Sequence, residues 1–356
     1  MNGIPNLNYD IINNGLWEVT QNIEISIPQY TFLHKFLFGL EPIATSDDFI
    51  ARQLLKRDIP VLPTETMKYG DPDLEKYDEE FSLKDIFPQY YFKEDSVNLS
   101  NVANRVSPNE PISAPWSYET RAVYILGQKA RYKRAQFEAT VEKLCSDMVL
   151  TGKYATKANG DQESDTPSEL LNLSVASTWS TNPIKALETA ATSIFEQGGT
   201  MPRVLILNPA DATPLITNSK IMTILDNRRM EMGGIKPTEI NAEDGSSYIG
   251  RISLPSVGPV DIYTYAGQYK SEGTKHNFIP QGKAYFGIPN IGRIGYCGLI
   301  ANIGGKPGKI AGEYRATAYD TSRGDLVTAK LQTQFSPAAI VTRPSSYGII
   351  TGIPEA

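Results

Sequence analysis

Cysteine and histidine are scarce in this 356-residue chain, with two of each: Cys145 and Cys297, His34 and His276. Two cysteines exclude a disulfide framework and fit a reducing compartment. One falls in a helical stretch and the other in a strand-like run, where each reads as a small buried hydrophobe. With so few soft ligands, no recognisable spacing assembles a zinc-type set. His34 lies among aromatics and reads as packing, and His276 lies in a loop without an evident partner. Excess basic charge is also missing, since 34 Lys and Arg face 40 Asp and Glu for a net charge of -6. That argues against a sequence-independent nucleic-acid binder, which needs a basic surface to displace counterions. It leaves room for a protein that surrounds nucleic acid without gripping it. No eighteen apolar residues occur together, so no membrane-spanning helix is expected. The opening "MNGIPNLNYDIINNG" has neither the basic start nor the apolar stretch of a signal peptide, and a soluble, intracellular product is expected at synthesis.

Catalytic motifs are missing too. In "GGKPGKI" only three residues separate Gly304 from Gly308, and Ile310 stands where a phosphate loop needs Ser or Thr. No G-x-G-x-x-G follows the strand-like "RVLILN", and "DGSSYIG" lacks the glycine spacing of a nucleophile elbow. The pairs Asp47-Asp48 and Glu79-Glu80 read as solvated faces. Lys129, Arg131, Lys133 and Arg134 fan out over about 200° of a helix and make no phosphate stripe. No catalytic, cofactor or metal residue is assigned, and an enzyme is not expected.

What is present is punctuation and one long uninterrupted segment. Gly 28 and Pro 24 favour many turns and strands, while 40% hydrophobic and 21% charged residues fit a folded chain long enough for two or three lobes. Six asparagines precede position 23 (Asn2, Asn6, Asn8, Asn13, Asn14, Asn22), which marks an arm with little structure until it docks. "YTFLHKFLFG" is a short helical turn too apolar to stay free. Residues 58–114 lack periodicity yet carry Tyr69, Tyr77, Phe81, Phe87, Tyr90, Tyr91 and Phe92, and are expected to form an extended two-stranded excursion with its aromatic side covered.

From Ser117 to Gly152 there is no proline. Ser117 is a plausible N-cap and Gly152 a natural stop, giving a rod of roughly 50 Å. Val123, Leu126, Ala130, Phe137, Val141, Leu144 and Met148 fall within an arc of about 60°. Such a narrow seam suits a rod resting on a thin layer rather than one sunk in a core. A weaker strip of Tyr124, Ile125, Tyr132, Ala135, Ala139 and Leu150 leaves room for another contact. A polar loop or hairpin tip follows at 157–169. "TNPIKALETAATSIFEQGG" predicts a helix with Asn182 as cap, Pro183 first and Gly198 past its end. "RVLILN" predicts a buried strand and "NPADATPLITNSKIMTIL" a further helix, an alternation that indicates an α/β lobe. "PVDIYTYAGQY" and "KAYFGIP" read as antiparallel strands around a turn-rich insert, and the chain ends in strands.

The order of these parts resembles the major capsid proteins of tailed double-stranded-DNA bacteriophages with the Hong Kong 97-type fold, and among them the lambda-type capsid protein E family. The carrying stretches are "TFLHKFLFG", "ATSDDFIARQLLKRDIPVLPTETMKYGDPDL", "WSTNPIKALETAATSIFEQGGTMPRVLILNPADATPLITNSKIMTIL", "VDIYTYAGQYKSEGTKHNFIPQGKAYFGIPNIGRIGYCG" and "QTQFSPAAIVTRPSSYGIITGI". The resemblance implies an α+β fold with an N-terminal arm and entry (1–57), an extended loop (58–114), a peripheral domain (115–183 and 306–356, with a spine helix at 117–151) and an axial domain (184–305). It implies self-assembly into pentamers and hexamers of an icosahedral shell that encloses double-stranded DNA without sequence-specific binding. Portal, scaffold and decoration proteins are the implied partners, with no cofactor and no membrane. Phe81, Phe87, Tyr90, Tyr91 and Phe92 become candidates for contact with a neighbouring subunit. Val123, Leu126, Phe137, Val141, Leu144 and Met148 become the seam of the spine. A cellular encapsulin-like shell around cargo protein and a monomeric α/β enzyme remain the alternatives.

Overall fold

The computed structural model of the chain describes residues 30–55, 81–98, 115–154, 162–163, 166–175, 179, 181–221, 238–241, 244–303, 305–320 and 328–354. The expected arm (1–29) and the excursion residues 56–80 and 99–114, Tyr69 and Tyr77 among them, lie outside the described residues.

A seven-stranded mixed sheet organises one end of the molecule. Its order is Leu173–Ser174, Tyr347–Thr351, Lys283–Gly287, Val204–Leu207, Gly258–Tyr265, Ser246–Leu254, Thr238–Asn241. The expected neighbours "PVDIYTYAGQY" and "KAYFGIP" are not paired with each other. Val204–Leu207 lies between them, parallel to the first and antiparallel to the second. The reason is its composition: four apolar residues in a row can be buried on both faces, which suits a central strand. Period-2 alternation then divides the core. Val204, Ile206, Tyr285 and Ile349 join one hydrophobic cluster, whereas Leu205, Leu207, Phe286 and Ile350 join the other, beneath the helix Pro183–Gly198.

That helix starts as expected on Asn182, whose side chain accepts from Lys185 N–H, but ends one residue later than the sequence indicates. Gly198 is its last residue, and Gly199 takes the left-handed stop at φ 61°. The next helix is shorter than expected, Pro209–Ile216. Asn218 interrupts the run by capping a new turn through Lys220 N–H, at 3.0 Å. Within the polar segment at 157–169, Gln162–Glu163 pairs antiparallel with Lys153–Tyr154 at the end of the long helix.

The long helix is Tyr118–Thr151. Ser117 Oγ accepts from Thr120 N–H at 3.2 Å, and Gly152 closes the helix at φ 65° with its N–H on the Met148 carbonyl. Its two halves have different surroundings. Among the described residues, Ala122, Leu126 and Ala130 cluster with Ala318, Ala329 and Leu331 of a three-stranded sheet formed by Tyr91–Asn98, Thr328–Phe335 and Arg315–Asp320, with Ala316 packed beside them. This half is one helix on one sheet, as the narrow seam indicates. The second half departs from that expectation. Val141, Glu142, Leu144, Cys145, Ser146, Met148 and Val149 are all buried, so the helix is enclosed on several sides. The cause is the helix Phe32–Leu37, which lays Phe32, Leu33 and Leu37 into the same cluster. A second three-stranded sheet (Leu40–Ala44, Gly292–Tyr296, Pro337–Val341) completes the enclosure.

Candidate subunit-contact surface

The excursion begins as a hairpin. Ile50–Leu55 pairs antiparallel with Phe81–Ile86, from Ile50 opposite Ile86 to Leu55 opposite Phe81. The root is fastened by its first pair, since Ile50 and Ile86 are both buried. Gly295 makes this possible, because a Cβ there would stand 2.3 Å from Ile50 Cδ1. Immediately outside the root, Phe49 and Phe87 face each other with ring centroids 5.7 Å apart and remain 37% and 48% exposed.

The sequence candidates then divide. Tyr91–Asn98 pairs along its length with Thr328–Phe335, and alternate residues take opposite faces. Tyr91 lies flat on Phe335 at 4.9 Å, with its hydroxyl donating to Gln89 Oε1 at 2.8 Å. On the same face Asp95 meets Lys129 and Lys133 of the long helix, at 3.2 and 3.4 Å. The opposite face carries Glu94, which pairs with Lys330 and accepts from Tyr319 Oη and from Gln332 Nε2 at 3.0 Å. The bonds from Lys330, Tyr319 and Gln332 hold the Glu94 carboxyl down at about 2. Tyr90 donates to Gln334 Oε1 at 2.8 Å. Tyr90 and Tyr91 are thus held within their own chain, whereas Phe92 projects from the outer face, 48% exposed. Of Phe81 only the backbone position is described. In the seam, Leu126, Phe137, Val141, Leu144 and Met148 are buried and Val123 is half-buried.

One contributor has no aromatic or periodic signal in the sequence. The hairpin of Leu299–Ile303 with Lys306–Ile310 presents Ile300, 54% exposed, directly opposite Lys309. Lys309 reaches Asp48 Oδ2 at 2.5 Å, and Gly298 N–H donates to the Asp47 carbonyl at 2.8 Å, so this hairpin stands against the turn that carries Phe49. Arg315 Nη1 donates to the Ile300 carbonyl at 2.7 Å, and the Tyr90 hydroxyl meets the Ile300 backbone. Gln334, bonded to Tyr90, lies across the strand pair from Phe92. Seven large hydrophobics are exposed among the described residues, and four of them (Phe49, Phe87, Phe92, Ile300) stand on these three interlocked segments.

Among the described residues no group of three or more His, Cys, Asp or Glu is placed to hold a metal ion, and no helix is long and apolar enough to cross a membrane. Cys145 and Cys297 are buried free thiols, and burial pushes Cys297 up to about 12. His34 is held below its ordinary value by burial, then by Lys35 and Arg134. The ring of His276 stacks on Tyr269.

The sequence profile of the family described as Phage major capsid protein E matches residues 16–351. The fold is similar to the crystal structure of a putative capsid protein of a prophage from E. coli CFT073, with a TM-score of 0.65 at 17% identity, covering 95% of this chain and 98% of that one. It is also similar to the capsid structure of the cyanophage P-SCSP1u, with a TM-score of 0.50 at 9% identity over 93% and 90% of the two chains. A comparison with curated proteins finds no match. With nearly its whole length matched, the chain belongs to the phage major capsid protein E family: it is a shell-forming structural subunit with the Hong Kong 97-type fold.

Proposed function

We propose that copies of this capsid protein join through the surface around Phe49, Phe87, Phe92 and Ile300, with the excursion that leaves the Ile50–Ile86 root reaching across the adjacent copy. The observation that supports this is the exposure of four large apolar side chains on three segments that are linked to one another by hydrogen bonds and an ion pair. Water contact there is unfavourable by about 25 cal/mol per Å² of apolar surface, so covering it favours assembly. In this reading the copies close into pentamers and hexamers of an icosahedral shell around double-stranded DNA. The lobe at 184–305 faces the symmetry axes, and the segments 115–183 and 306–356 form the periphery. The net charge of -6 suits a wall that does not hold packaged DNA in place. Assembly in the host cytoplasm with separate portal, scaffold and decoration proteins, and a role without catalysis, complete the proposal. The family is one of phage shells, which favours a genome over cargo protein as the content.

The test is a double substitution, Phe87→Ser with Phe92→Ser, set beside Tyr91→Ala. The double variant is expected to melt like the parent yet form at least tenfold fewer shells by sedimentation and electron microscopy. Tyr91→Ala removes a ring stacked on Phe335 and is expected to destabilise the subunit itself by about 3 kcal/mol. Normal shell yield from the double variant would refute the contact assignment.

A further inference from the structure

Glu142 is fully buried in the middle of the long helix, yet the carboxylate is engaged by groups far away in the chain. Its Oε1 accepts from Leu33 N–H at 2.7 Å and from the Tyr265 hydroxyl at 2.6 Å, and its Oε2 accepts from His34 N–H at 2.9 Å. Leu33 and His34 are in the first turn of the helix Phe32–Leu37, where backbone N–H groups have no partner within the helix. Thr31, at the N-cap, makes no capping bond with its side chain. A carboxylate on another helix therefore caps this one. The third donor comes from the end of the strand Gly258–Tyr265, so one side chain fastens three elements.

We infer that Glu142 is a proton-dependent clasp, and that losing its proton loosens the segment around Phe32–Leu37 from the long helix. Among the described residues, the groups that bear on this carboxyl supply no cation. They are the Tyr265 hydroxyl and the neighbouring Asp244, the Cys145 thiol on the same helix, and the backbone N–H groups of Leu33 and His34. The charges of Lys35 and Arg134 bear on the imidazole of His34, not on the carboxyl. Ionised, the carboxylate accepts all three bonds. Protonated on Oε1, it donates to the Tyr265 oxygen and Oε2 keeps the bond from His34, while Leu33 N–H is left with a weaker neutral acceptor and the Tyr265 hydrogen has to turn away from the carboxyl. The ionised state differs in being a desolvated charge without a counter-charge, which is the costly arrangement.

Burial accordingly raises the carboxyl from its ordinary 4.5 to about 7, against the lowering by Tyr265, His34 and Leu33, with Asp244 adding to the rise. If the Phe32–Leu37 segment lifts, water reaches the carboxyl and its ordinary acidity returns. The docked state then binds the proton more tightly than the open state. Docking is strongest below pH 4.5, weakens as pH rises toward about 7 and levels off above it. The full span corresponds to roughly three-hundredfold in the opening equilibrium.

Amide hydrogen exchange of the full chain tests this, followed in the peptide covering residues 31–38 between about pH 5 and about pH 8, with intrinsic rates divided out. Opening of that segment is expected to rise at least tenfold across the range, while the central strand Val204–Leu207 stays unchanged. In Glu142→Gln the segment should open to the same extent at both ends of the range, because nothing titrates there. A flat wild-type profile would overturn the inference. So would an equal rise in Val204–Leu207, or a rise that persists in Glu142→Gln. Should that variant not fold, the wild-type profile and its strand control decide alone.

Discussion

Leu144→Asp is expected to yield no folded subunit. Leu144 is buried in the cluster that joins the long helix to the sheets, two residues from Glu142. The same helix therefore shows what a buried carboxylate requires. Glu142 has three donors aimed at it from the Phe32–Leu37 helix and from Tyr265. The side chains around Leu144 are Met148, Lys153, Tyr154, Ala338 and Ala339, of which only Lys153 is charged, and it is exposed to solvent. An aspartate there would be a buried ion with no donor aimed at it and its one neighbouring cation out in water, at a cost of about 3–5 kcal/mol, a large share of a domain's whole stability. Circular dichroism of the purified variant should show loss of native structure, or the protein should be recovered only in aggregates. Leu144→Ala, which leaves a cavity, should fold with a loss of about 3 kcal/mol. A native spectrum for Leu144→Asp would mean that this half of the helix is open to water.

Gly198→Ala should destabilise the subunit, although helix propensity alone predicts the reverse. At the last helical position alanine is normally favoured over glycine by about 1 kcal/mol. Here a Cβ would stand 2.0 Å from the Ser345 carbonyl oxygen and 2.7 Å from its carbon. Both are backbone atoms, so no side chain can swing aside. The turn at Ser345 leads into Tyr347–Thr351, a strand of the seven-stranded sheet, and moving it strains that sheet. A net loss of about 3 kcal/mol is expected, with a fall in Tm of several degrees. Gly199 provides the contrast. A Cβ there meets nothing within 4 Å, and only its φ of 61° resists substitution, so Gly199→Ala should cost about 1 kcal/mol. The order of the two effects, read by thermal unfolding, separates steric approach from backbone conformation.

These two glycines also show what the sequence can and cannot disclose. Gly-Gly after an amphipathic run marks the end of a helix, because the stop is a local property of φ. That Gly198 has no room for a Cβ follows from its closeness to Ser345, and no local pattern carries that. The long helix was legible for the same reason: Ser117 and Gly152 act within one turn of the ends they fix. "RVLILN" was legible as a buried strand, but its place between two others is a pairing chosen by the tertiary fold. Glu142 was invisible, since an acidic residue in a helix ordinarily faces water and its donors lie more than a hundred residues away in sequence. The surroundings of the aromatic candidates were legible only in part. Aromatic density drew attention to residues 81–92, but could not show that Tyr91 folds back on Phe335. Nor could it show that the hairpin carrying Ile300, whose sequence looks like a plain turn, is tied to the turn at Asp47 and Asp48.

The central claim is that the side chains at the excursion's root are bare only while the subunit is alone. Cryo-electron microscopy of shells assembled from the full chain tests it directly. The account predicts that Phe49, Phe87, Phe92 and Ile300 lie beneath an adjacent copy in every pentamer and hexamer. Shells in which those four side chains still face solvent would contradict it.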